Sequence, residues 1–134
     1  MTHHRHIVES AEAPAAIGPY SQAVVAGGLV FCSGQIALDP ASGELVEGGA
    51  SEQATRCLES LAAIAEAAGT SLADAARLTV YLFDLHGDWE DVNAAYESFF
   101  TALGAEPPAR VAVGVKALPR GARVEIDAVV ALPD

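Results

Sequence analysis

Gly27-Gly28 stands between two short runs of strand-forming residues, Ala23-Val24-Val25-Ala26 and Leu29-Val30-Phe31-Cys32-Ser33, and no other feature restricts the fold as tightly. Two consecutive glycines supply the positive φ angles that a two-residue hairpin turn demands, so the runs must return antiparallel on each other. Asp39-Pro40 and Ser42-Gly43 mark turns, and Gly48-Gly49 marks the approach to a helix. From Ser51 to Ala68 the apolar positions Ala54, Cys57, Leu58, Leu61, Ile64, Ala65 and Ala68 recur at helical spacing, with Gly69 placed to end the helix. Ser71-Leu72-Ala73-Asp74 has capping-box spacing and predicts a short helical turn before a strand over Leu78 to Asp84. Trp89, Val92, Tyr96, Phe99, Phe100 and Leu103 form a second helical stripe, read as core, which Pro107-Pro108 stops. Ala109 to Ala117 and Arg123 to Ala131 read as two further strands, joined by Leu118-Pro119-Arg120-Gly121.

Hairpin, helix, strand, helix, hairpin is the order of an α+β domain with a mixed sheet and two helices packed on one face. At 134 residues, 51% of them apolar and 19% charged, the chain has the length of one globular domain, residues 1–134, with a frayed His-rich N-terminus over 1–10. Five strands with Val and Ala on both sides cannot all face water, so the face away from the helices needs a cover and a homo-oligomer is expected. Eighteen acidic against seven basic side chains, a net charge of -11, repel phosphate backbones and anionic lipids, which counts against nucleic acid and membrane as partners. No apolar run is long enough to span a bilayer and Met1 to Ser10 is polar, so a cytoplasmic location is expected. Cys32 and Cys57 form no CxxC pair and read as small buried hydrophobes.

The strand Arg110-Val111-Ala112-Val113-Gly114-Val115-Lys116 alternates strictly, which puts Arg110, Ala112, Gly114 and Lys116 on one face and the valines on the other. If Leu118 to Gly121 closes a regular hairpin, Gly114 lies opposite Glu125 and Ala112 opposite Asp127. A guanidinium beside small residues keeps its fork uncovered, and that fork matches a carboxylate or phosphate with two parallel hydrogen bonds. The same spacing also suits a cross-strand Arg110–Glu125 ion pair on a solvated face, and the pattern alone leaves both readings open. Arg110, Lys116, Arg120 and Arg123 fall within 14 positions of an acidic chain, which points to a small anionic ligand. There is no phosphate-binding glycine loop before a helix, no GxSxG and no HExxH. His3, His4 and His6 have the composition of a soft-metal tail but read more simply as frayed, and His86 reads as an exposed loop residue.

Ala13-Pro14-Ala15-Ala16-Ile17-Gly18-Pro19-Tyr20-Ser21-Gln22, together with Cys32-Ser33-Gly34-Gln35-Ile36, resembles the opening of the RidA (YjgF) family. The likeness continues through Asp91-Val92-Asn93-Ala94-Ala95-Tyr96, Phe99-Phe100, Pro108-Ala109-Arg110, Leu118-Pro119 and Val124-Glu125-Ile126-Asp127, in order over nearly the whole chain. It implies a chorismate-mutase-like α+β fold, a homotrimer with ligand clefts between subunits, and hydrolysis of reactive 2-imino acids to 2-oxoacids and ammonia without metal or organic cofactor. It also implies that Arg110 grips the substrate carboxylate, that Ser33 and Gly34 line the cleft, that Tyr20 and Asn93 are pocket residues and that Glu125 attends the attacking water. Many members of the family carry a cysteine two residues after the arginine; here that position is Ala112, so a nucleophilic thiol is ruled out there. Two other classes stand beside the deaminase: a non-catalytic module that binds 2-oxoacids in the same cleft, and the RNA cleavage for which some members are named. A carboxylate at Glu125 is of little use to the first, and the net charge opposes the second.

Overall fold

A computed structural model describes residues 4–134. Six strands, β1 (His6–Val8), β2 (Ala23–Ala26), β3 (Leu29–Ile36), β4 (Ala75–Leu82), β5 (Ala109–Gly114) and β6 (Val124–Ala131), form one mixed sheet in the order β1-β2-β3-β6-β4-β5. Helices α1 (Ala50–Ala67) and α2 (Leu85–Leu103) join β3 to β4 and β4 to β5. The expected α+β architecture is therefore present, with one strand more than the sequence pattern indicates. That strand is β1, which pairs antiparallel with β2 through Ile7↔Val24. His6 to Val8 thus belong to a sheet edge rather than to a frayed tail. Gln22 fastens the segment after β1, its Oε1 accepting from the Ser10 N–H at 2.6 Å. His3 lies outside the described residues.

The glycine pair turns β2 into β3 with φ of 59° at Gly27 and 79° at Gly28. Gly49 caps α1, its N–H donating to Glu52 Oε1 at 2.8 Å, so an acidic side chain one turn in satisfies an otherwise orphaned donor. Asp84 caps α2 by accepting from the Gly87 N–H at 3.0 Å, and Gly104 ends that helix in the left-handed region at φ 67°. His86 consequently sits in the first turn of α2, not in a loop, because Asp84 starts the helix earlier than the aromatic stripe indicates.

Leu78, Val80 and Leu82 of β4 and Val124, Ile126, Ala128 and Val130 of β6 point to the helices and are buried with Leu58, Leu61, Ile64, Val92 and Phe100. Cys32 and Cys57 are buried in this layer, as expected. Burial, with Asp127 adding to it, pushes the Cys32 thiol up to about 12, and burial raises that of Cys57 as well, so neither is a thiolate at neutral pH. Among the described residues the opposite face of the sheet carries no second layer: Ile7, Phe31, Val111 and Val113 are exposed there, with Phe31 at 46%.

The expected hairpin between the last two strands does not form. β6 is central and pairs antiparallel with both β3 and β4, whereas β5 lies on the outer edge and pairs parallel with β4. Both edges of β6 are thus taken, and its fully buried alternate residues need neighbours on both sides. β5, with Arg110 and Gly114, suits an edge. After β5 the chain stays tied to β4 through the Val115 N–H and the Leu82 carbonyl at 2.9 Å, then crosses by a short 3₁₀ turn over Pro119–Gly121 with Arg120 at φ 61°.

Asp88, only 4% exposed, anchors the start of α2 to this crossing: Arg123 Nε and Nη2 donate to its two oxygens at 3.0 and 2.5 Å. The Arg123 N–H donates to Gln53 Oε1 of α1 at 2.9 Å, so both helices and β6 meet there. The Arg123 side chain is half exposed and can be hydrated alone, whereas Asp88 cannot. Arg123→Ala is therefore expected to lower stability by about 2–3 kcal/mol and Asp88→Ala by only about 1–2 kcal/mol, read by urea denaturation.

Candidate functional site

Arg110, Ala112 and Gly114 lie beside Leu78, Val80 and Leu82 in the parallel ladder, so they share the helix-facing side of the sheet. Glu125 lies beside Tyr81 and Asp127 beside Thr79, on the open side. The guanidinium and the carboxylates expected on one face are thus on opposite faces of one sheet, with β4 between their strands. The alternative of an Arg110–Glu125 ion pair within one chain falls with it. Two half-sites result.

The first half-site is built on β5 and α2. Asn93 Oδ1 accepts from Arg110 Nη1 at 2.8 Å, and the guanidinium carbon lies 4.9 Å from the Trp89 ring centre and 4.8 Å from that of Tyr96. Asn93, Tyr96 and Arg110 border a hollow of about 600 Å³ that continues past Glu97 and Thr101 to Pro107 and Pro108. Trp89 and Ala112, with Leu85 and His86, border another of about 480 Å³. Arg110 has no carboxylate partner among the described residues, which leaves part of its fork free for an anion.

The second half-site is a cleft of about 270 Å³ bordered by Ile17, Tyr20, Gly34, Gln35, Pro119 and Glu125, among others. A β-bulge makes it: between Cys32↔Ala128 and Gln35↔Ile126 two residues of β3, Ser33 and Gly34, oppose the single Asp127 of β6. Glycine at 34 lets the carboxylate lie against the bulge, because a Cβ there would fall 3.0 Å from Glu125 Cδ and closer still to Oε2. Ser33 adjoins the cleft with its hydroxyl donating to the Ser21 carbonyl at 2.6 Å, which holds the Tyr20 loop against β3. Tyr20 stands at the rim, half exposed, its hydroxyl accepting from the Ile17 N–H at 3.3 Å.

Burial raises the affinity of Glu125 for a proton, and the neighbouring Asp127 raises it further. Asp127 in turn accepts from the Tyr81 hydroxyl at 3.0 Å. A half-buried carboxylate held above its ordinary range is a stronger base than a solvated one, so it takes a proton from water more readily. Among the described residues no three His, Cys, Asp or Glu side chains converge as metal ligands would, and no helix is long and apolar enough to cross a membrane.

Sequence reasoning missed Trp89 and Tyr96 as parts of the site. With Asn93 they stand at i, i+7 and i+4 of α2, the same spacing that marks a core stripe, and only the position of β5 distinguishes the two roles. Pro119, read as a turn residue, borders the Glu125 cleft.

A family model described as endoribonuclease L-PSP matches residues 10–132. The RutC family protein y4sK of Sinorhizobium fredii is 50% identical over 125 residues, 93% of this chain and 96% of that protein. The human 2-iminobutanoate/2-iminopropanoate deaminase is 44% identical over 93% of this chain and 88% of its own. Among solved structures, Escherichia coli TdcF with bound serine superposes with a TM-score of 0.91 at 40% identity, covering 96% of this chain and 99% of that one.

The electrostatics of the cleft give a direct test. In an NMR-monitored titration the Glu125 carboxyl is expected to titrate above the range of an ordinary glutamate, and Asp127→Asn to lower its midpoint, because a like charge is removed while the burial stays. Gly34→Ala is expected to shift the Glu125 resonances and leave the melting temperature within a few degrees, the new methyl displacing the carboxylate rather than the sheet.

Proposed function

The chain belongs to the endoribonuclease L-PSP family, the RidA/YjgF group, and from that membership and the two half-sites we propose that it hydrolyses reactive 2-imino acids, formed by pyridoxal-phosphate enzymes, to 2-oxoacids and ammonia. The observation that carries the reading is an Arg110 guanidinium held in place with part of its fork free, in a chain whose sheet also presents a basic, half-buried Glu125. Relatives named for this reaction at 44–46% identity support it, as does the serine bound to the similar E. coli protein, a small 2-amino acid.

Because Arg110 and Glu125 face opposite sides of one sheet, they can meet only when the open face of one subunit lies against the edge strand of another. A homotrimer with clefts between subunits does this, and covers Phe31, Val111 and Val113 as well. In the assembled cleft Arg110 anchors the carboxylate. The Gly34 backbone borders the reacting carbon, and Ser33, its hydroxyl donating to the Ser21 carbonyl, holds the Tyr20 loop beside it. Glu125 takes a proton from a water whose oxygen bonds to C2, and C2's π electrons pass to nitrogen. The resulting carbinolamine receives that proton on nitrogen, directly or through Tyr20, and the C–N bond breaks to release ammonia while the hydroxyl proton passes to the freed Glu125 carboxylate and the carbonyl forms. A protonated imine is already electrophilic, so positioning and one base suffice without a cofactor.

RNA cleavage fits poorly. The net charge is -11, and the Arg110 guanidinium is already packed by two rings and so is not free to stack on a base. A purely binding module leaves the raised proton affinity of Glu125 without a use.

When a pyridoxal-phosphate lyase generates 2-aminoacrylate or 2-iminobutanoate, the protein is expected to accelerate 2-oxoacid release, and Arg110→Ala to lose on the order of 100-fold or more in kcat/KM. Acceleration that survives in the variant, or none in the parent protein, contradicts the reading. Light scattering at micromolar concentration is expected to give a trimer, and a clean monomer would refute the shared cleft.

A further inference from the structure

Arg110 is exposed, yet its charged group is confined on several sides. Trp89, Asn93 and Tyr96 occupy one face of α2, and the seven helical steps from Trp89 to Tyr96 span about 10.5 Å of rise, room for one guanidinium between the two rings. The guanidinium carbon is nearly equidistant from them, at 4.9 and 4.8 Å, while Asn93 holds Nη1. Tyr96 is buried and its hydroxyl has no hydrogen-bond partner among the described residues, so what this position offers the site is its ring. Trp89 differs: it is only partly buried, and it walls the hollow shared with Leu85, His86 and Ala112.

We propose that Trp89 is a positioning residue for Arg110: its indole holds the guanidinium against Tyr96, so that the fork meets a small carboxylate edge-on. The inference rests on the reading of Arg110 as the carboxylate anchor. It accounts for how an edge-strand arginine with no carboxylate partner among the described residues is kept in one orientation. An arginine free to sample its rotamers must be ordered by each ligand, and one already packed between rings has been ordered by the fold. Indole is the ring that attracts a cation most strongly, and with the guanidinium carbon over both rings and Nη1 held by Asn93 the remaining donors are left for an anion. The ligand class that fits is a small monocarboxylate, not a flat aromatic that would need the faces.

Trp89 is the only tryptophan in the chain, so its emission reports directly on ligand at Arg110. Titration of the parent protein with 2-oxobutanoate is expected to change that emission saturably, and Arg110→Ala to abolish the change. Trp89→Leu keeps an apolar side chain but no ring, and Trp89→Phe keeps a ring. By calorimetry with 2-oxobutanoate and by imine turnover, Trp89→Leu is expected to raise Kd and KM about 5–10-fold with kcat within about twofold, and Trp89→Phe to return both to within about twofold. A correctly assembled Trp89→Leu with unchanged Kd and KM overturns the proposal, as does an equal loss in the leucine and phenylalanine variants. Should Trp89→Leu not assemble, Trp89→Phe against Trp89→His decides it, since a weaker ring must bind more weakly. Binding of 2-oxobutanoate that depends on Trp89 without any imine turnover upholds the positioning role and overturns the deaminase reading. Turnover indifferent to Trp89 does the reverse, and a parent protein that neither binds nor turns over overturns both.

Discussion

The parallel pairing of β4 with β5 is the constraint on which the rest depends. Parallel neighbours cannot be joined by a tight turn, so α2 must cross over between them, and that crossover lays the Trp89–Asn93–Tyr96 face beside Arg110. The same pairing puts β5 at the edge and leaves the two sides of β6 to β3 and β4. It also fixes which face each functional side chain takes: Arg110 toward the helices, Glu125 away from them. A site that uses both has to be completed by a second subunit, and the uncovered apolar face of the sheet is where that subunit docks in the proposed trimer.

Local elements were legible from the sequence because their signals are local. The Gly27-Gly28 turn, the Gly48-Gly49 approach to α1, the Ser71 turn and the two amphipathic helices are all set by residues within one or two turns of each other, whereas α2 ends at Gly104, short of the Pro107-Pro108 pair expected to stop it. What the chain alone does not reveal is which strands pair. Ala109–Gly114 and Val124–Ala131 are adjacent in sequence, and a four-residue Leu118 to Gly121 link looks like a hairpin loop. Only the competition among β3, β4 and β5 for the two edges of β6 decides otherwise. Likewise Trp89 and Tyr96 carry helical spacing whether they serve the core or the arginine, and β1 is a strand of three residues with two of them exposed, too short for periodicity to show. The family likeness named Arg110, Glu125, Gly34 and Tyr20 together, where strand alternation placed Arg110 and Glu125 on the same face.

The two half-sites divide the chemistry by physical character. In the proposed reaction the half around Arg110 is the anion anchor, built on a helix and a strand and needing no proton transfer. The half around Glu125 depends on a β-bulge and a glycine, which bring a carboxylate into a partly dry cleft beside a second carboxylate. Such a cluster costs stability in the free subunit, as functional carboxylates commonly do. Ala112 keeps the space next to Arg110 open and carries no reactive atom, so in the proposed reaction the nucleophile is water.

Mixing two inactive variants tests the central claim most directly. Arg110→Ala and Glu125→Gln subunits are each prepared alone, mixed in equal amounts, dissociated and reassembled, and imine turnover is measured. If each cleft takes Arg110 from one subunit and Glu125 from another, random reassembly restores intact clefts at about one quarter of all sites, and activity returns to about that fraction of the parent protein. Reassembled hybrids with no more activity than the separate variants would contradict a site shared between subunits.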